Sequence, residues 1–241
     1  MLMGKNLIQQ KRGKGSPTFR ARTFAAIGDI RTLYRGTAVI EDLERCTFHT
    51  APLAKIRHAD DNTSYILAVE GMKVGEPITI GPDAAVRTGN SLALKNIPEG
   101  IDICNLEAAP GDGGKFMRAS GSTARIVAKT PAGIMVQFAN KRQRLFHPEC
   151  LAMVGIIAGG GRTEKPFLKA GNKWKAMKAR NKYYPIVSGI SMNALCHPHG
   201  GKHSSKKGRP TIAPKNAPPG RKVGAIRPRG MGRGSRKIPK F

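Results

Sequence analysis

Every one of the fifteen Asp and Glu residues in this chain lies between Asp29 and Glu164. That confinement constrains the fold more than any single motif. Only the stretch that mixes both signs of charge can close over an ordinary hydrophobic core without strong self-repulsion. The two flanks carry cations and no anion, and they bring the 241 residues to a net charge of +27. A charge of that size requires a polyanionic partner, either nucleic acid or an anionic membrane.

The membrane is the weaker of the two. No apolar run reaches the roughly 18 residues that a spanning helix needs. The N-terminus, M-L-M-G-K-N-L-I-Q-Q-K-R, has no signal-peptide core. No segment alternates strongly enough for an interfacial helix. The four cysteines (Cys46, Cys104, Cys150, Cys196) are scattered and form no C-x-x-C pair, which fits a reducing compartment.

The mixed-charge middle reads as strands. Runs at 37–40, 53–57, 64–69 and 78–80 are short, apolar or alternating, and separated by turn residues such as Glu70-Gly71 and Gly75-Glu76-Pro77. Leu92-Ala93-Leu94, Pro98 and Gly100 read as a connection. A second set follows at 123–129, 134–138, 142–146 and 151–157, with turns at Pro131-Ala132-Gly133 and Ala139-Asn140-Lys141. The spacing predicts two small antiparallel barrels. With aromatic residues at only 5%, neither is expected to have a generous core, so partner-assisted folding is expected.

The flanks read differently. K-R-G-K-G-S-P and R-A-R-T-F mark residues 1–28 as a basic arm that orders only against its partner. Residues 171–180, G-N-K-W-K-A-M-K-A-R, predict a helix with Asn172 as N-cap and cations around most of its circumference. Beyond Gly200 the chain runs through K-K-G-R-P, P-G-R-K-V-G, R-P-R-G and G-R-G-S-R-K, too poor in apolar residues to fold alone.

Between helix and tail stands S-G-I-S-M-N-A-L-C-H-P-H-G-G-K-H, which holds His197, His199 and His203. Pro198 restricts the backbone between the first two, and Gly200-Gly201 permits close approach. Cys196, His197, His199 and His203 are metal-ligating types, yet Pro198 hinders their convergence and no second pair stands at zinc-finger spacing. A histidine acid–base pair wants an orienting carboxylate, and none lies within about thirty residues in sequence. Neutral imidazoles that hydrogen-bond or stack on RNA fit better. Gly114-Lys115 and Gly201-Lys202 lack the rest of a phosphate loop, and no helix-turn-helix is visible. No catalytic residue, no metal and no cofactor is assigned.

The stretches A-G-N-K-W-K-A-M-K-A-R, V-S-G-I-S-M-N-A-L-C-H-P-H-G-G and A-P-P-G-R-K-V-G, with V-E-G-M-K-V-G-E-P-I and R-G-T-A-V-I upstream, resemble the universal large-subunit ribosomal protein L2 family. The short N-terminus and P-P-G-R-K-V-G resemble its archaeal and eukaryotic form, and the similarity spans essentially the whole chain. The resemblance implies a mainly β protein: a basic arm at 1–34, an OB-fold barrel at 35–88, an SH3-like barrel at 89–162, and a basic extension at 163–241 that carries the helix and the H-P-H-G loop. It implies a structural constituent of the large ribosomal subunit, not an enzyme, in the cytoplasm within the ribosome. Its partners would be large-subunit ribosomal RNA, neighbouring large-subunit proteins and the small subunit through an intersubunit bridge, with no membrane. The implied roles are subunit assembly, subunit association and support of tRNA binding near the peptidyl transferase centre, where bond chemistry belongs to RNA.

On this reading Arg20, Arg22, Lys173, Lys175, Lys178, Arg180, Arg221, Lys222, Arg227 and Arg229 neutralise phosphates. His197, His199, Gly200 and Gly201 pack into RNA, and Trp174, Asn193, Lys202, His203, Arg209 and Arg233 complete the rRNA-binding set. Two positions depart from the family: Cys196 stands where an acid is common, and Lys202 where a third glycine is usual. The rivals are a histidine or metal nuclease, and a coating protein that binds DNA and RNA alike without a fixed site.

Overall fold

The computed structural model describes residues 6–31, 34–201, 212–218 and 220–226. The chain divides into two units, Arg22–Lys169, and Met1–Ala21 with Ala170–Phe241. None of the described helices is long and apolar enough to cross a membrane.

The Arg22–Lys169 unit holds ten strands. They are β1 (Gly36–Glu44), β2 (Leu53–His58), β3 (Thr63–Leu67), β4 (Pro77–Ile80), β5 (Ser91–Ala93), β6 (Asp102–Cys104), β7 (Ala124–Thr130), β8 (Gly133–Phe138), β9 (Gln143–Phe146) and β10 (Leu151–Val154). The expected OB-fold barrel followed by an SH3-like barrel does not form. Instead the strands hydrogen-bond in one open sheet, in the order β3-β2-β1-β4-β5-β10-β6-β7-β8-β9. β3 and β9 are its two ends, with no pairing between them among the described residues.

The physical reason lies in β5 and β10. Leu92-Ala93-Leu94, expected as a connection, contributes β5, which joins the edge of β4 in parallel through Ile80 and Ser91. β10, last in sequence, inserts between β5 and β6, with Ala152 opposite Leu92 and Val154 opposite Ile103. The edges that two separate barrels would use for closure are therefore spent on joining the halves. Alternation along a strand tells which face is buried, but not which strand lies beside it.

Two apolar clusters fill the unit. Ile40, Leu53, Ile56, Ile66 and Ile80 pack with Cys104, Met153 and Ile157. Leu92, Leu94, Ile103, Leu106, Ile126 and Val136 form the second. Each such side chain taken fully out of water contributes about 1.5–3 kcal/mol, so branched aliphatics supply what scarce aromatics do not. The aromatics that are present concentrate: Phe116, Phe138 and Phe146 stand 5.5–6.1 Å apart, and the Arg144 guanidinium covers Phe116 and Phe146 at 5.0 and 5.2 Å. Burial pushes the Cys104 thiol up to about 12, and burial with Glu107 nearby pushes Cys150 up to about 11, so both stay protonated and inert.

One buried carboxylate ties this unit together. Glu107, 2% exposed, accepts the backbone N–H groups of Gly111 (3.1 Å), Gly113 (3.1 Å) and Leu151 (2.8 Å). Its own N–H donates to the Leu151 carbonyl at 3.0 Å. The loop after β6 is thereby fastened to β10.

The other unit contains α1 (Ile8–Gly13), α2 (Ala170–Ala179) and the parallel pair β11 (Ile212–Ala213) and β12 (Ala225–Ile226). Within 6–21 the arm holds α1 and the 3-10 turn Pro17–Phe19. Leu7 is buried, and its N–H donates to Gln10 Oε1 at 2.8 Å, which starts α1. Asn172 sits inside the first turn of α2, not at its cap. The C-terminal end is better specified: Asn181 takes a positive φ of 51°, its N–H donates to the Lys178 carbonyl, and the Lys182 N–H donates to the Met177 carbonyl. That pair of bonds is a Schellman closure, with Asn in the place usually taken by glycine. The Asn181 side-chain amide also donates to the carbonyls of Pro17 (2.6 Å) and Arg20 (2.7 Å), so one residue ends the helix through its backbone and holds the arm through its side chain.

Candidate nucleic-acid interface

No Asp or Glu occurs in 1–21 or 170–241, whereas 23 of the 42 Lys and Arg residues do. This unit therefore carries +23 of the +27 net charge, and no carboxylate within it offsets that field. The surface of α2 displays part of it through Lys173, Lys175 and Lys178. No residue of the helix is buried; Trp174, Lys175 and Lys178 are exposed, and Lys173 and Arg180 are half-buried. The Lys178 ammonium lies 4.8 Å from the centre of the Trp174 ring, which holds a cation over an aromatic face. Arg20 is exposed, with Nε donating to the Gly15 carbonyl at 2.8 Å. Arg221 is exposed and Lys222 half-buried in the turn before β12.

The histidine loop is a closed backbone structure. After the 3-10 turn Gly189–Ser191, the Asn193 carbonyl accepts the N–H groups of Cys196 (2.9 Å) and His197 (3.2 Å). The Gly200 N–H donates to the His197 carbonyl, and the Gly201 N–H to the Met192 carbonyl at 3.1 Å. Inside this frame the His197 and His199 rings meet edge to face at 4.8 Å, and the His199 N–H donates to His197 Nδ1 at 3.0 Å. That bond makes Nδ1 the acceptor and leaves the proton of the neutral ring on Nε2. Burial, then His199, pulls the His197 pKa below the usual imidazole value, so the loop holds the neutral ring. Among the described residues no three His, Cys, Asp or Glu gather as metal ligands.

The glycines here answer to sterics. A Cβ on Gly200 would run into the carbonyl oxygens of Met192 and Asn193, which are fixed backbone; one on Gly189 would meet only the His197 ring. Gly200→Ala is therefore expected to cost about 1–3 kcal/mol locally and to speed amide exchange at Gly201 about 10- to 100-fold. Gly189→Ala should do less, because a ring can swing. Unchanged exchange in Gly200→Ala would mean the Met192 closure does not hold the loop.

The structure thus places Arg20, Lys173, Trp174, Lys175, Lys178, Arg180, Asn193, His197, His199, Gly200, Gly201, Arg221 and Lys222 in one acid-free unit. Arg22 belongs to the other unit, where it precedes the 3-10 turn Thr23–Ala25. Lys202, His203, Arg209, Arg227, Arg229 and Arg233 lie outside the described residues. Sequence reasoning missed Asn181, Arg12 and the Tyr183-Tyr184 pair. An Asn just past a helical run is a readable stop signal. The tyrosines carried no periodicity to single them out.

Comparison with known proteins shows the family. The family described as Ribosomal Proteins L2, C-terminal domain, matches residues 87–219, more than half of the chain. Large ribosomal subunit protein uL2 of Archaeoglobus fulgidus is 44% identical over 234 residues, covering 95% of this chain and 99% of that protein. The uL2 proteins of Halorubrum lacusprofundi and Methanocella arvoryzae are each 44% identical, covering 98% and 96% of this chain and 100% of their own lengths. With similarity running end to end at that level, the chain belongs to the L2 family of large-subunit ribosomal proteins, in its archaeal and eukaryotic form.

Proposed function

We propose that this chain is a structural constituent of the large ribosomal subunit, where it binds large-subunit ribosomal RNA. The observation that carries the reading, beside family membership, is a unit with 23 cations and no Asp or Glu that contains the hydrogen-bonded histidine loop. Such a unit repels itself in water and is stabilised by phosphates. Arg20, Arg22, Lys173, Lys175, Lys178, Arg180, Arg221, Lys222, Arg227 and Arg229 neutralise the backbone. His197 to Gly201 pack into RNA, with Trp174, Asn193, Lys202, His203, Arg209 and Arg233 in the same interface. The role is one of scaffold: it supports subunit assembly, contact with neighbouring proteins and the small subunit, and tRNA binding near the peptidyl transferase centre. It carries out no reaction of its own, and it works in the cytoplasm within the ribosome.

Sedimentation of a native lysate through a high-salt gradient tests this. The chain should travel with the large subunit after the wash. Release into light fractions, while other core proteins stay bound, would overturn the assignment and favour a coating protein without a fixed site.

A further inference from the structure

Between the arm and α2 lies a cleft of about 680 Å³ whose aromatic walls the phosphate-binding reading does not use, although Lys173 belongs to both. Its walls combine Phe19, Tyr183 and Tyr184 with Arg12, Lys173 and Lys182. The cations are already set against the rings. The Lys173 ammonium stands 5.3 Å from the Tyr184 ring centre and the Arg12 guanidinium 5.9 Å from that of Tyr183, while Phe19 flanks Tyr183 at 6.2 Å. Both tyrosines are half-buried, so each keeps accessible surface.

We infer that this cleft takes an unstacked nucleotide extruded from ribosomal RNA, with its base against Tyr184 and its phosphate against Arg12, Lys173 and Lys182. The inference rests on the rRNA-binding reading and names the RNA element that this part of the interface selects. Paired bases in an A-form helix are stacked inside and cannot enter a recess; splayed bases stack on aromatic and guanidinium planes. Phosphate alone would need no aromatic lining. An acidic peptide would satisfy the cations, but a carboxylate has no π face to match the rings. The combination of rings and cations in a unit without carboxylates fits a nucleotide on both counts.

The test uses the full chain and two labelled RNAs at one fixed salt concentration: a perfect duplex, and the same duplex with one added, bulged nucleotide. Fluorescence anisotropy should show the bulged RNA bound about tenfold or more tightly than the duplex, in line with stacking of one base. Tyr184→Leu should abolish that preference, while Tyr184→Phe, which keeps the ring, should retain it. Equal affinity of the wild-type chain for both RNAs overturns the inference and leaves the rRNA-binding reading standing. A preference that survives Tyr184→Leu also overturns it. Failure to bind either RNA sinks both readings together. Oligoglutamate binding that depends on Tyr184 would assign the cleft to an acidic protein segment and overturn the nucleotide.

Discussion

Raising monovalent salt from 50 to 200 mM lowers the affinity of the full chain for large-subunit RNA by about 10⁴- to 10⁵-fold. Each phosphate that a Lys or Arg neutralises releases condensed counterions, which makes the logarithm of affinity fall linearly with that of salt, by about 0.7–0.9 per contact. Ten side chains are assigned to phosphates here, so the slope should be on the order of −7 to −9. Lys175, Lys178 and Arg221 are all exposed. Changing the three to Gln should leave the fold intact, since all three are exposed and Gln is a good helix former at the two positions in α2. It should also make the slope shallower by about 2–3. The gain of this design is that it separates charge from shape: a variant that loses affinity without any change in slope has lost something other than phosphate contacts. A nearly flat wild-type slope would remove the electrostatic account altogether.

Glu107→Ala should destabilise the Arg22–Lys169 unit by on the order of 4 kcal/mol, because the buried N–H groups of Gly113 and Leu151 and the partly buried one of Gly111 lose their acceptor at once. For a unit of this size that corresponds to a midpoint roughly 8–16 °C lower, read by far-UV circular dichroism of the full chain. Two of the three bonds end on Oε2 and one on Oε1. Glu107→Gln should therefore cost less than Ala: its carbonyl can keep one set while its NH2 faces the remaining donor. Amide exchange should rise first at Gly111, Gly113 and Leu151. A change within about 0.5 kcal/mol, the range of ordinary surface substitutions, would show that water replaces the carboxylate.

Glu107 also illustrates what reading the chain could not reach. In sequence it is one of fifteen acids in a mixed-charge middle, with nothing to mark it as buried. Its partners at Gly111 and Gly113 are local, but Leu151 is 44 positions away. The strands tell the same story from the other side. The runs at 53–57 and 134–138 announced themselves by alternation and apolar content, and they became β2 and β8. Ser91–Ala93 did not, because three residues are too few to show a period and all three are buried. The acid-free unit was legible as far as charge goes: α2, the His197–Gly201 loop and the turn at Arg221 were named as interface candidates from their residues. The Tyr183–Tyr184 cleft was not, since it exists only once the arm returns to the helix through Asn181.

The sequence by itself determined the polyanionic partner, the division into a mixed-charge body and acid-free flanks, and most of the strands. These follow from composition and short-range pattern, which each segment carries wherever it lies. Only the tertiary structure decided that the ten strands make one open sheet rather than two barrels, and that arm and helix enclose a cleft. Those outcomes depend on which edges meet, and pairing between distant segments is set by the packing of the whole chain and leaves no local mark.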